Sequence, residues 1–134
     1  MRMSRRKLRE TIFLFLFRIE FNTDEEVLEQ LAWYFEDRIE DTEEEDRIYI
    51  TEKLSSIFTC RQELDEAILT MCTGWRIERL GKAELAILRL AVYEMRNDND
   101  IPTGVAINEA VELTKKYCSE EAPRFVNGVL AKLA

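Results

Sequence analysis

Apolar residues recur every three or four positions along almost the whole chain, and that period limits its fold more than any other feature. Lys82–Asn97 shows it most clearly: Leu85, Ile87, Leu88, Leu90, Ala91, Val92 and Met95 make a broad apolar stripe, while Glu84, Arg89 and Arg96 are less easily buried. The alternation of a half-buried strand never persists. Only four Gly and two Pro interrupt the 134 residues, so long stretches are free to be helical.

Seven helices are expected. The first, from about Arg5 to Phe21, is apolar around nearly its whole circumference, so other helices must enclose it. Asn22-Thr23-Asp24 stops it and caps a second, amphipathic helix carrying Val27, Leu28, Leu31, Ala32 and Phe35. Thr42 with Glu45 reads as the capping box of a third, with Ile48, Ile50, Leu54, Ile57 and Phe58 as its stripe. A fourth carries Leu64, Ile68, Leu69, Met71 and Cys72 and ends near Thr73-Gly74; Trp75, Ile77 and Leu80 form a short turn closed by Gly81. After Lys82–Asn97, Pro102 and Thr103 open a helix with Ala106, Ile107, Ala110, Val111, Leu113 and Tyr117 facing in. Pro123 suits the first turn of the last, which carries Phe125, Val126, Val129, Leu130 and Leu133.

The fold class is therefore all-α, a compact bundle of about seven helices, and the length suits one domain over residues 1–134. Hydrophobic residues at 46% and charged residues at 34% fit a folded, non-membrane protein. No segment approaches the roughly 20 apolar residues that span a bilayer. The apolar run Ile12–Phe17 behind Ser4-Arg5-Arg6 is too short for an export signal, so a cytoplasmic location is expected.

Histidine is absent, which excludes Ser-His and Cys-His nucleophilic catalysis, His-ligated zinc and an imidazole proton shuttle. Cys60, Cys72 and Cys118 are odd in number and widely spaced, and support neither a disulfide framework nor a metal site. Asn108, Glu109 and Glu112 fall on the polar face of a helix, where Glu112 and Lys116 make an ordinary i,i+4 pair. The chain is read as no enzyme, with no cofactor and no metal.

The net charge of −8 is unevenly distributed. Residues 1–18 hold six basic side chains against Glu10, or +5; residues 19–52 hold fourteen acids against Arg38 and Arg47, or −12. A basic tip on an acidic body attracts phosphate locally while the body repels it, so nucleic-acid affinity should be modest until a partner adds positive surface. The acidic run Glu40–Asp46 reads as a solvated loop and helix start.

Three segments go beyond generic amphipathicity: Leu88-Arg89-Leu90-Ala91-Val92-Tyr93-Glu94-Met95, then Val105-Ala106-Ile107-Asn108-Glu109-Ala110-Val111-Glu112-Leu113, then Arg124-Phe125-Val126-Asn127-Gly128-Val129-Leu130. With Ile101-Pro102, the Leu64-Asp65…Trp75…Arg79-Leu80 stretch and the N-terminal Arg5-Arg6-Lys7-Leu8-Arg9-Glu10, they closely resemble the NusB family over nearly the whole chain. The resemblance implies two packed helical bundles and binding of the boxA element of ribosomal RNA leader transcripts. It also implies NusE, a small-subunit ribosomal protein, as partner, the pair acting on RNA polymerase in an antitermination complex.

Arg5, Arg6 and Arg9 can track phosphates, since Arg5 and Arg9 share a helix face and a guanidinium matches phosphate oxygens bidentately. By resemblance, Arg124 and Phe125 lie at the RNA surface, a cation beside a ring on which a base can stack. Glu121 matches a family position near the RNA, where a carboxylate can accept from base amino groups. For NusE, the family pattern points to Phe17 and Glu84; Phe17 departs from a tyrosine found in some members, keeping the apolar anchor without the hydroxyl. Asn127-Gly128 inside the last helix is read as close helix packing.

Two other readings compete. The N-terminal domain of ribosomal RNA cytosine methyltransferases is similar in fold, but 134 residues leave no room for their cofactor-binding segment. A helical scaffold that binds only protein is the other, including a homodimer that masks the RNA surface.

Overall fold

Ser4 begins the first helix by accepting a hydrogen bond from the Lys7 backbone N–H at 3.1 Å, which satisfies one of the unpaired donors of the first turn. The computed structural model describes residues 2–72 and 80–134. Among them are seven α-helices: α1 Arg5–Phe17, α2 Asp24–Glu36, α3 Glu44–Thr59, α4 Arg61–Met71, α5 Lys82–Asn97, α6 Thr103–Tyr117 and α7 Ala122–Leu133. No strand occurs among the described residues. Thr73-Gly74, Trp75, Ile77 and Arg79 lie outside them.

The chain divides into two compact units, Met1–Thr59 and Cys60–Ala134. In the first, α1, α2 and α3 pack on one another. Ile12, Phe13 and Leu16 of α1, Val27 and Leu31 of α2, and Ile50, Leu54 and Ile57 of α3 are almost fully buried and form its core. Thr23 caps α2 as expected: its hydroxyl accepts from the Glu26 N–H at 3.1 Å, and the Glu26 carboxylate accepts from the Thr23 N–H at 2.8 Å.

Three local expectations for this unit change. The first helix ends at Phe17, because Arg18–Glu20 tightens into a 3-10 turn. Arg18 fixes that turn: its guanidinium donates to Gln30 at 2.9 Å and covers the Phe15 ring at 4.3 Å, and its carbonyl accepts from the Asn22 side chain. No Thr42–Glu45 capping box forms. The Thr42 hydroxyl donates to the Arg38 carbonyl at 2.8 Å and accepts from Arg47, while Glu45 pairs with Arg2 at 3.0 Å. Leu14, at 39% exposure, leaves α1 only partly enclosed.

In the second unit α5 touches α4, α6 and α7. Every residue from Leu85 to Val92 is buried, so α5 is a central helix rather than one with a single apolar stripe. Burying such a side chain contributes roughly 1.5–3 kcal/mol. The middle of α5 is therefore committed to the core, and binding surfaces must lie at its ends or on its neighbours. The Glu112–Lys116 pair is replaced by Glu112–Lys115 at 3.1 Å, while Lys116 lies over the Tyr117 ring.

Candidate nucleic-acid and partner surfaces

The first turn of α1 holds Arg5, Arg6 and Lys7 and no acidic residue. A cation at a helix N-terminus opposes the macrodipole, costing about 0.3–1 kcal/mol. Arg5 and Arg6 are exposed, and their charge adds to the helix N–H groups in favouring an anion. Arg9 departs from expectation. It is 6% exposed and held within the protein, so of the three expected arginines only Arg5 and Arg6 stand at the surface, beside the exposed Lys7.

Residues ahead of α1 are tied to α3. The Met3 N–H donates to the Asp46 carboxylate at 2.8 Å, and Arg2 pairs with Glu45. Asp46 is 4% exposed, so the end of the acidic run is an anchor for the basic segment rather than a wholly solvated loop.

Phe17 is half-buried near the end of α1, its ring 6.5 Å from Phe13 and edge-on to Phe21 at 5.8 Å. Phe21, 65% exposed, extends this apolar surface. Sequence alone places Phe21 in the last turn of the first helix; its position four residues after Phe17 is the signal that points to it.

In the second unit, the half-buried Phe125 stands between two clefts. The first, about 250 Å³, is lined by Glu84, Glu121, Gly81 and Ser119 with Phe125. The second, about 270 Å³, is lined by Arg124, Lys132, Gly128, Met71 and Cys72 with the same ring. Phe125 thus lines both an acidic hollow and a basic one. The family resemblance points Glu121 toward RNA and Glu84 toward a protein partner; the structure brings these two carboxylates to one cleft and sets Arg124 in the other.

Glu84 folds back over the start of α5. A Cβ on the capping residue Gly81 would lie 1.7 Å from a Glu84 carboxylate oxygen, so only glycine leaves room for that side chain there. Gly128 is the opposite case. It is exposed within α7, and a Cβ there would meet nothing within 4 Å, so the expected close helix packing does not occur. A glycine inside a helix costs about 1 kcal/mol relative to alanine, here with no return in packing.

The three cysteines are free thiols. Burial, followed by the nearby Glu84 carboxylate, pushes Cys118 up to about 11, and burial also raises Cys60 and Cys72. None is an activated nucleophile. Among the described residues, no group of His, Cys, Asp and Glu could hold a metal ion, and no helix is long and apolar enough to cross a membrane.

Comparison with known proteins follows the same lines. Residues 6–134 match the model of the NusB family. The transcription antitermination protein NusB of Agathobacter rectalis is 50% identical over 132 residues, covering 98% of this chain and all of that one. NusB of T. maritima superimposes with a TM-score of 0.88 at 31% identity, over 100% of this chain and 92% of that one. A chain from the complex of antitermination factors NusB and NusE with double-stranded RNA gives 0.80 at 28% identity, over 98% and 97%.

Proposed function

The chain belongs to the NusB family of antitermination factors, and on that premise we propose that it binds the boxA element of ribosomal RNA leader transcripts jointly with NusE. The pair would then join the antitermination complex of RNA polymerase, working in the cytoplasm by binding and not by catalysis. The observation that carries this reading is the cationic first turn of α1 on a chain of net charge −8. Arg5 and Arg6 are the phosphate contacts on the first unit. On the second, Arg124 contributes a further contact and Phe125 a stacking ring. Arg9 is buried and is left out of the phosphate contacts.

For the protein partner, Phe17 offers an apolar anchor and Glu84 a carboxylate for a basic surface. Glu121 shares the Glu84 cleft, where it can accept from base amino groups at the edge of the RNA site. A structural relative bound to both NusE and RNA supports the joint reading. The test is a gel-shift titration of boxA RNA with this chain alone and mixed with NusE, with light scattering to size the species. Weak binding alone and tight binding as a one-to-one heterodimer are expected. A stable homodimer indifferent to NusE and RNA would overturn the proposal.

A further inference from the structure

Three aromatic rings of the first unit carry a cation: Arg18 over Phe15 at 4.3 Å, Arg38 over Tyr34 at 3.9 Å and Lys53 over Tyr49 at 4.8 Å. Trp33 has the largest π-face of that unit and is 55% exposed on α2, yet it has no ring or cation partner among the described residues. Glu29, Glu36 and Asp37 lie four residues before, three after and four after it, so the helix period sets all three beside the indole. Each is exposed, and none makes an ion pair among the described residues. The last turn of α2 holds no basic residue, so the negative end of the helix dipole adds to these carboxylates. Arg38, the nearest cation in the chain, is occupied: its guanidinium donates to the Tyr34 carbonyl at 3.2 Å and lies on the Tyr34 ring.

We infer that this face of α2 docks a basic segment of a protein partner, one arginine of which lies flat on the Trp33 ring and donates to the surrounding carboxylates. A guanidinium suits the place better than an ammonium, because its plane stacks on the indole while its edge donates to carboxylate oxygens. Three unpaired carboxylates repel phosphate, so the occupant is not RNA. Nor is it a second copy: docking the basic tip of one chain on α2 of another would leave the same two surfaces open at the ends of a growing assembly. The inference stands apart from the RNA-binding reading and needs neither boxA RNA nor NusE.

The experiment is an NMR titration of the full chain with a peptide of alternating arginine and glycine, and with its lysine counterpart. The indole N–H of Trp33, identified by its loss in Trp33→Ala, should shift and saturate with the arginine peptide. Affinity should fall about tenfold in Trp33→Ala and several-fold in Glu29→Gln/Glu36→Gln. Both variants should melt close to the parent, because the positions are exposed. The parent should prefer the arginine peptide to the lysine one, and Trp33→Ala should lose that preference. An arginine peptide that binds Trp33→Ala as it binds the parent, or binds while leaving the indole signal in place, would mean general attraction to the acidic unit and overturn the assignment. So would a boxA oligonucleotide that moves the same signal, or a dimer by light scattering whose signal shifts with protein concentration, since each names a different occupant.

Discussion

Arg89 of α5 forks onto Asp65 of α4, its Nε donating to Oδ1 at 2.7 Å and its Nη2 to Oδ2 at 2.9 Å. The arginine is buried and the carboxylate about one-quarter exposed. Both NusB-like stretches carrying these residues thus serve to join two helices. Removing one partner from a buried pair typically costs about 3–5 kcal/mol, and the partial exposure of Asp65 lowers that to about 2. Asp65→Ala should shift the urea midpoint accordingly, while the folded variant retains RNA binding. An unchanged midpoint would mean that water replaces the carboxylate at little cost.

The capping box of α2 gives a pH-dependent prediction. Hydrogen bonds from the Thr23 backbone and side chain hold the Glu26 carboxyl below its ordinary value of 4.5. A depressed folded-state value means stabilisation that is full above the unfolded value and lost as pH falls through the folded one. Wild type should therefore exceed Glu26→Gln in thermal stability at pH 7, with the gap closing below pH 4.5. Thr23→Ala should cost about 1 kcal/mol.

Much of this architecture was legible in the sequence because helical periodicity and capping chemistry are local. The bounds of α5 and the Thr23 cap follow from residues adjacent in the chain. What escaped depends on tertiary neighbours. Arg9 reads as a surface cation until its burial is known, and Thr42 reads as a cap until Arg38 and Arg47 claim its hydroxyl. The pairing of Glu84 with Glu121 around one cleft joins residues 37 positions apart, beyond the reach of any spacing rule. Gly128 was misread because sequence shows a glycine without showing whether anything packs on it.

Gly81 controls where the Glu84 carboxylate sits, so it offers a way to move that charge without deleting it. Gly81→Ala should displace the side chain from the helix start and weaken association with NusE several-fold, as should Glu84→Gln. Isothermal titration with NusE in the absence of RNA measures both. Unchanged affinity in both variants would remove Glu84 from the partner surface.

The thiols should be slow to alkylate. Raising Cys118 from 9.0 to about 11 lowers its thiolate fraction at pH 8 about a hundredfold. Mass spectrometry after brief iodoacetamide treatment should find Cys118 unmodified in the folded protein and modified in urea. Rapid labelling of the native protein would contradict the burial that raises it.

The central claim is that Arg5 and Arg6, at the start of α1, bind RNA phosphates. Its most direct test is the salt dependence of boxA RNA affinity, measured with NusE for the parent and for Arg5→Ala/Arg6→Ala. Each phosphate contact to a single strand contributes about 0.7 to the slope of log affinity against log salt. The double variant should bind more weakly with a slope shallower by about 1.4. An unchanged slope and affinity would contradict the account.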